Sequence, residues 1–443
     1  MTDRRAIMPA WRAPRIDISV LLGAVAAFCV YLSMYAFRRP FSAAAYDDVI
    51  GWSHVLNFKV VLVVAQVAGY ALSKLAGIKF ISELDGRHRA GAILSLIALS
   101  WGALVLFAVA PIWLKVGALF LNGLPLGLIW GLVFSYLEGR RTSELLGAIL
   151  CASFIVSSGI VKSVAMWLMV VGSVTEWWMP AATGLVFAPL LLISTLSLAR
   201  MPPPTPADIA ARTLRVPMFA DQRRAFLRRY GPGLGLLVAA YVLLTALRDF
   251  RDNFAAELWR DLGYAGVSGV FTASEIPVAI ITLGALASLM TIRDNAKALA
   301  AMHIMVGGGA ALIGIATIGF QTGWLSPIAW MIVSGAGLYL AYTPFNAMLF
   351  DRLIAATRQV GTAGFLIYVA DAAGYAGSVA LVLFRNLFDG HLPWLEFFEQ
   401  GALGASAFVM MLTLASGLYF THRLKRESKS MNMALEICNV TKS

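Results

Sequence analysis

Apolar residues in this chain gather into long runs, each closed by a short polar stretch, and the runs recur along nearly the whole sequence. None alternates apolar and polar positions with the period of two that a half-buried strand requires. A hydrocarbon core of about 30 Å takes roughly 20 apolar residues as a helix, and a helix satisfies its own backbone where no water can do so. The pattern predicts twelve spans, over 18–46, 55–77, 90–110, 116–137, 143–169 and 179–198, and then over 232–259, 267–290, 296–320, 325–350, 360–388 and 401–419. The expected fold class is an all-α integral membrane protein of two pseudo-symmetric six-helix bundles. Its parts are a tail over 1–17, a bundle over 18–199, a linker over 200–231, a second bundle over 232–422 and a tail over 423–443.

The two bundles share a spacing. Arg38 follows Tyr31 by seven residues, Arg248 follows Tyr241 by seven, and both pairs are related by a shift of 210 positions. A charge inside a membrane helix costs several kcal/mol unless it meets a partner or an aqueous cavity, which makes it a functional candidate. Matching charges in two halves point to a duplicated carrier with a central anion site. Guanidinium keeps its charge when buried and offers a planar fork that fits phosphate or carboxylate. The competing reading makes both arginines snorkel to a nearby interface, and it is the reading favoured for Arg39.

Composition fits the membrane setting, with 59% hydrophobic residues and 13% charged and a mean hydropathy of +0.77. The 35 lysines and arginines outnumber the 24 acidic residues and give a net charge of +11. They gather on one set of flanks, which the positive-inside rule makes cytoplasmic. Both termini are therefore expected inside, in a multi-pass protein of the inner membrane, and the charge implies no nucleic acid. The first apolar run is too long for a cleaved signal peptide, and Arg38 and Arg39 interrupt it. Cys29, Cys151 and Cys438 have no metal or disulfide spacing. No metal or cofactor is implied: the glycine-rich stretches lack the strand before and the Gly-Lys-Ser/Thr after that a phosphate-binding loop needs. The five histidines lie in loops or near span ends, which argues against an embedded enzyme.

These residues support a named resemblance. Twelve spans, a central linker and duplicated halves resemble the major facilitator superfamily over nearly the whole chain. Glu138-Gly139-Arg140-Arg141, after the fourth span, is similar to the acidic-glycine-arginine signature many members carry there. Within that superfamily, Met34-Tyr35-Ala36-Phe37-Arg38-Arg39-Pro40-Phe41 resembles the first-helix segment of the organophosphate:phosphate antiporters. Tyr70-Ala71-Leu72-Ser73-Lys74 resembles their second-helix element, and Leu247-Arg248 their seventh-helix arginine. The resemblance implies that Arg38 and Arg248 grip the anion, with Lys74 beside the pathway and Tyr35 in the same segment. Three features depart from that pattern: Phe154 where some members have histidine, a longer loop over 77–89, and the charged run Arg248-Asp249-Phe250-Arg251-Asp252.

Other polar positions are graded around this site. Asp252, one turn after Arg248, is the expected partner of that arginine and a residue that substrate can displace. Lys59, Gln66, Tyr46, Asn122, Tyr339 and Tyr375 can line a cavity or serve packing and interhelical hydrogen bonds. Four further charges pair by sign across the two halves of the facilitator fold, Lys74 with Asp371 and Lys162 with Glu275. Counting about 1.5 Å per residue puts the first pair within roughly 10 and 15 Å of the cytoplasmic side and the second toward the outer side. The expected roles are an inner gate and an outer tie, against satisfaction of each charge within its own half.

The function expected is secondary active transport of a small organic anion, phosphorylated by the resemblance, with inorganic phosphate as candidate counter-substrate, by a monomer in the lipid bilayer. The alternatives are a proton-coupled symporter of a non-phosphorylated carboxylate or sugar-like solute, using Glu275 or Asp371, and a sensor or enzyme on a transporter fold.

Overall fold

The computed structural model describes residues 18–47, 49–52, 54–83, 86–137, 143–202, 220–357, 363–388 and 392–440. Among them every regular element is helical. The first half comprises α1 (Ile18–Tyr35), α2 (Phe58–Glu83), α3 (Arg89–Val109), α4 (Ile112–Leu137), α5 (Ser143–Val170) and α6 (Met179–Ala199). The second comprises α7 (Ala220–Asn253), the short α8 (Ala255–Asp261), α9 (Val270–Met290), α10 (Asn295–Gln321), α11 (Pro327–Pro344), α12 (Phe350–Thr357), α13 (Ala363–Phe388) and α14 (Trp394–Val440). Ten described segments are long and apolar enough to cross a membrane. The apolar stretch Leu21–Tyr35 of α1 and the lysine-bearing α2 complete six crossing elements per half.

The packing repeats. In the first half α1 lies against α5 and α6, α2 against α4, and α3 against α4 and α6. In the second α7 lies against α13 and α14, α9 against α11, and α10 against α11 and α14. Close approach within a half depends on missing side chains. A Cβ on Gly309 would stand 2.5 Å from the Gly337 carbonyl oxygen, and one on Gly337 would stand 2.7 Å from that of Gly309, which lets α10 and α11 meet backbone to backbone.

The halves meet where α5 packs on α9 and where α2 touches α13. Gly159 permits the first contact, since a Cβ there would lie 2.7 Å from the Phe271 carbonyl oxygen. Ser163 of α5 also accepts from the Thr272 amide of α9 at 3.1 Å.

Loops sort onto two faces, as antiparallel neighbours require. On one face the Tyr46 hydroxyl donates to the Glu176 carbonyl, Arg260 pairs with Asp47, the Asn57 amide donates to Asn386, and the Leu395 amide donates to Asp261. On the other, which carries the basic flanks, Arg229 pairs with Glu427 and Arg352 donates to Asn295. We refer to them as the opposite face and the basic face.

Two spans are broken. α1 ends at Tyr35, and the chain continues through a turn into a short 3-10 segment, Pro40–Ala43. Proline cannot donate to the preceding turn. The span over α11 and α12 is interrupted by a π-helical turn, Phe345–Leu349, directly after Pro344, a distortion found often at functional sites.

Candidate functional site

The break after α1 builds the centre of the site. Arg38 sits in the unwound turn, whose freed carbonyls are taken up by neighbouring spans. Gln66 of α2 donates to the Arg38 carbonyl at 2.8 Å, and Asn122 of α4 donates to the Phe37 carbonyl at 2.9 Å. Asn122 is itself held by Gln66 and by Ser100 of α3. Non-helical backbone at membrane depth persists only where protein groups satisfy it in this way.

The turn aims the Arg38 side chain between the halves. It is 6% exposed, and no ion pair to it is present among the described residues. Its guanidinium carbon lies 3.7 Å from the centre of the Tyr70 ring, a cation–π contact that uses the flat face and leaves in-plane N–H donors free. Its buried Nε has no hydrogen-bond partner.

Arg248 is handled differently. Its Nε and Nη2 both donate to Oδ1 of Asp249, at 3.1 and 2.7 Å, and its guanidinium carbon lies 4.2 Å from the centre of the Tyr342 ring. Sequence spacing assigned Asp252 as its partner. Adjacent helical residues point about 100° apart, which disfavours an i,i+1 bond, but a long arginine stem can fold back onto its neighbour's carboxylate.

Asp252 instead crosses to the first half. It accepts from Arg39 at 3.0 Å, and from Lys162 and Ser158 of α5. Arg39 also donates to Asn253 at 2.5 Å. Arg39 is therefore buried and bridging, not snorkelling as expected. Lys162 meets Asp252 rather than Glu275, because Glu275 is taken by Arg251 at 2.6 Å on its own side of the interface. The gap among Ser158, Lys162, Arg251, Asp252 and Glu275 is about 10 Å³, at the lower limit for one water, so this cluster is a packed tie and leaves no room for a solute. Nearer the opposite face, Lys59 reaches both carboxylate oxygens of Glu257, at 2.6 and 2.7 Å, and the Ser42 carbonyl at 3.0 Å. Outside the spans, burial and the charge of Asp47 push the Glu176 carboxyl above its ordinary pKa.

Toward the basic face one pair joins the halves. Lys74 lies 2.9 Å from Asp371 and 3.1 Å from the Tyr375 hydroxyl, with side chains 22% and 15% exposed. Asp371 also accepts from Tyr241 at 2.6 Å, and Tyr241 stacks on Tyr342 at 5.2 Å between ring centres. Arg38 and Arg248 are thus joined through tyrosines and one ion pair. Tyr35, whose ring lies 5.5 Å from that of Tyr31, flanks the same space. The ring role of Tyr342 carries no sequence signal beyond an aromatic in a span, whereas Tyr70 opens the second-helix segment and Tyr375 is among the candidate cavity residues read from sequence. Glu138, Arg140 and Arg141 lie outside the described residues. A cleft of about 770 Å³ on the opposite face is lined in part by Tyr46, Trp52, Asn57, Arg385 and Trp394, so of the candidate cavity residues read from sequence it contains Tyr46.

Residues 40–423 match the family described as "Family of unknown function (DUF5690)", and the chain belongs to that family. No curated protein matches it. Solved structures share its fold at low identity. A D-xylose-proton symporter superposes with a TM-score of 0.62 at 14% identity, covering 88% of this chain and 97% of that one. A bacterial homologue of the human lysosomal transporter Spinster, inward-facing and unoccupied, gives 0.62 at 13%, covering 94% and 99%. A POT family transporter in complex with a thioalcohol conjugated peptide gives 0.61 at 11%, covering 92% and 96%. The fold is the major facilitator fold.

Proposed function

We propose that this member of the DUF5690 family is a secondary active transporter that carries a small organic anion by rocking its two six-helix halves around Arg38. The observation that carries the proposal is the Arg38 guanidinium, buried at 6% exposure with no carboxylate on it among the described residues. Buried charges left unpaired are strongly destabilising, so this one is retained for a partner the protein itself does not supply. The fold shared with the xylose symporter, the Spinster homologue and the POT transporter supports the same reading.

Layered ties on the opposite face support a state closed there. Lys59–Glu257 is almost fully buried and Arg39–Asp252 is 6% and 12% exposed, whereas Lys74–Asp371 is more open, at 22% and 15%. On this reading Lys74–Asp371 is the gate toward the basic face, which the positive-inside rule makes cytoplasmic, with both termini inside and the protein in the inner membrane. The resemblance to organophosphate:phosphate antiporters adds a phosphorylated solute, exchange against inorganic phosphate and a monomeric carrier.

A second reading couples transport to protons. It is favoured by Glu275, whose Oε2 is buried without a hydrogen-bond partner, and by Asp371, which is shared between Lys74 and Tyr241. One experiment separates the two: uptake of phosphorylated and carboxylated solutes into proteoliposomes preloaded with phosphate, with and without an imposed pH gradient. Anion uptake that needs internal phosphate and ignores the gradient supports exchange, and uptake that follows the gradient alone supports proton coupling. Absence of anion uptake under both conditions, with protein correctly inserted, contradicts the transporter reading.

A further inference from the structure

Among the described residues, the charges linked by the central tyrosines sum to one positive unit. They are Arg38, Lys74, Arg248, Asp249 and Asp371, joined through Tyr70, Tyr375, Tyr241 and Tyr342, and the packed tie of Arg39, Lys162, Arg251, Asp252 and Glu275 lies beside them. Lys74 is held by Asp371 at 2.9 Å and Arg248 by Asp249 at 2.7 Å, so two of the three cations are spent within the protein. Among the described residues of this group only Arg38 remains, with Tyr70 under its face and its Nε unsatisfied.

We infer that the transported solute carries a single negative charge, a monocarboxylate or a phosphodiester, and that Asp249 sets this limit by neutralising Arg248. The inference rests on the transporter reading above. A doubly charged phosphomonoester or dicarboxylate would bring one charge more than the site offers, in a low-dielectric setting where each uncompensated charge is expensive. Shifting Arg38 by 210 positions gives Arg248, and the same shift carries Arg39 to Asp249. The second half therefore has a carboxylate where the first has another cation, and that one difference cancels its arginine. Tyrosine rings 31, 35, 70 and 375 around Arg38 add apolar surface with hydroxyl donors, which suits an amphipathic monoanion.

The test uses purified full-length protein, charge-matched probes at pH 8 and ligand-induced thermal stabilisation. Dimethyl phosphate and butyrate are monoanions there, while methyl phosphate and succinate are dianions. The wild type is expected to be half-stabilised by each monoanion at a concentration at least about tenfold lower than by its dianionic counterpart. Asp249→Asn, which frees the Arg248 charge, should move that ratio toward the dianions by about tenfold. Arg248→Gln combined with Asp249→Asn removes both charges, leaves the net charge as in the wild type, and should restore the monoanion preference; it also serves where the single variant fails to fold. A wild-type preference for dianions, or a ratio unmoved by Asp249→Asn, overturns the inference. If dianions win and Arg38→Gln abolishes their effect, the anion site survives and only its charge class falls. If no probe of either charge stabilises the wild type, both proposals fall.

Discussion

The two halves carry the same tyrosine–arginine spacing and treat the arginine in opposite ways. In the first half the helix breaks before Pro40, the loose turn is tied down by Gln66 and Asn122, and Arg38 emerges without a counter-charge among the described residues. In the second half α7 runs unbroken past Arg248 to Asn253, and Asp249 holds the guanidinium by two of its donors. A duplicated position has thus become one bare charge and one neutral pair. Symmetry of sequence spacing need not mean symmetry of function: matching arginines suggest a two-sided grip, whereas the function proposed above rests on a one-sided anchor.

The contrast can be attacked first at the ties that hold the halves together. Lys59 of the first half and Glu257 of the second are both almost fully buried. Lys59→Met should destabilise by about 3–5 kcal/mol, because it strands the Glu257 carboxylate, and Glu257→Gln should cost a similar amount by stranding Lys59. Combining Lys59→Met with Glu257→Leu should recover most of the loss. Thermal unfolding in detergent measures all three, and a Lys59→Met variant as stable as the wild type would show that the pair is not formed.

The broken helix belongs to the first half alone, so its support should matter in a way the second half has no counterpart for. Asn122→Ala leaves the Phe37 carbonyl and Ser100 short of a partner and should cost about 1–3 kcal/mol, together with weaker anion binding through a displaced Arg38. Full stability with unchanged binding would detach the break from the site.

A smaller effect is expected at the partly exposed bridge. Lys74→Asp and Asp371→Lys should each reduce uptake, and the double exchange should recover part of it, with a coupling of about 1 kcal/mol. No recovery, together with unchanged cysteine accessibility from either face, would remove the gate while leaving the anchor untouched.

Much of the fold was legible because the bilayer forces it: long apolar runs and basic flanks leave few alternatives to paired helical bundles. The Lys74–Asp371 contact could be reached because each is an isolated charge of opposite sign on helices that face each other. Lys162 could not be assigned correctly, since Asp252, already allotted to Arg248 by its i,i+4 spacing, proved the nearer carboxylate. The bridging role of Arg39, and the partner of Lys59, which the sequence offered as a cavity or packing residue, were hidden for a related reason. Charges near span ends look like snorkelling residues, and only the docking of one half on the other places Asn253, Asp252 and Glu257 against them. The Arg248–Asp249 bond was hidden by helical geometry, which separates neighbours, and by the reach of an arginine stem, which overcomes it.

On the proposed function, Arg38 anchors the solute and Arg248 does not. Equilibrium binding of dimethyl phosphate and butyrate to purified Arg38→Lys and Arg248→Lys tests it most directly, since a point charge cannot reproduce the guanidinium fork. Arg38→Lys should lose at least about tenfold in affinity, or ~1.4 kcal/mol, while Arg248→Lys stays within about threefold of the wild type. Equal losses in both variants would restore the symmetric two-arginine grip, and undiminished binding in Arg38→Lys would contradict the account outright.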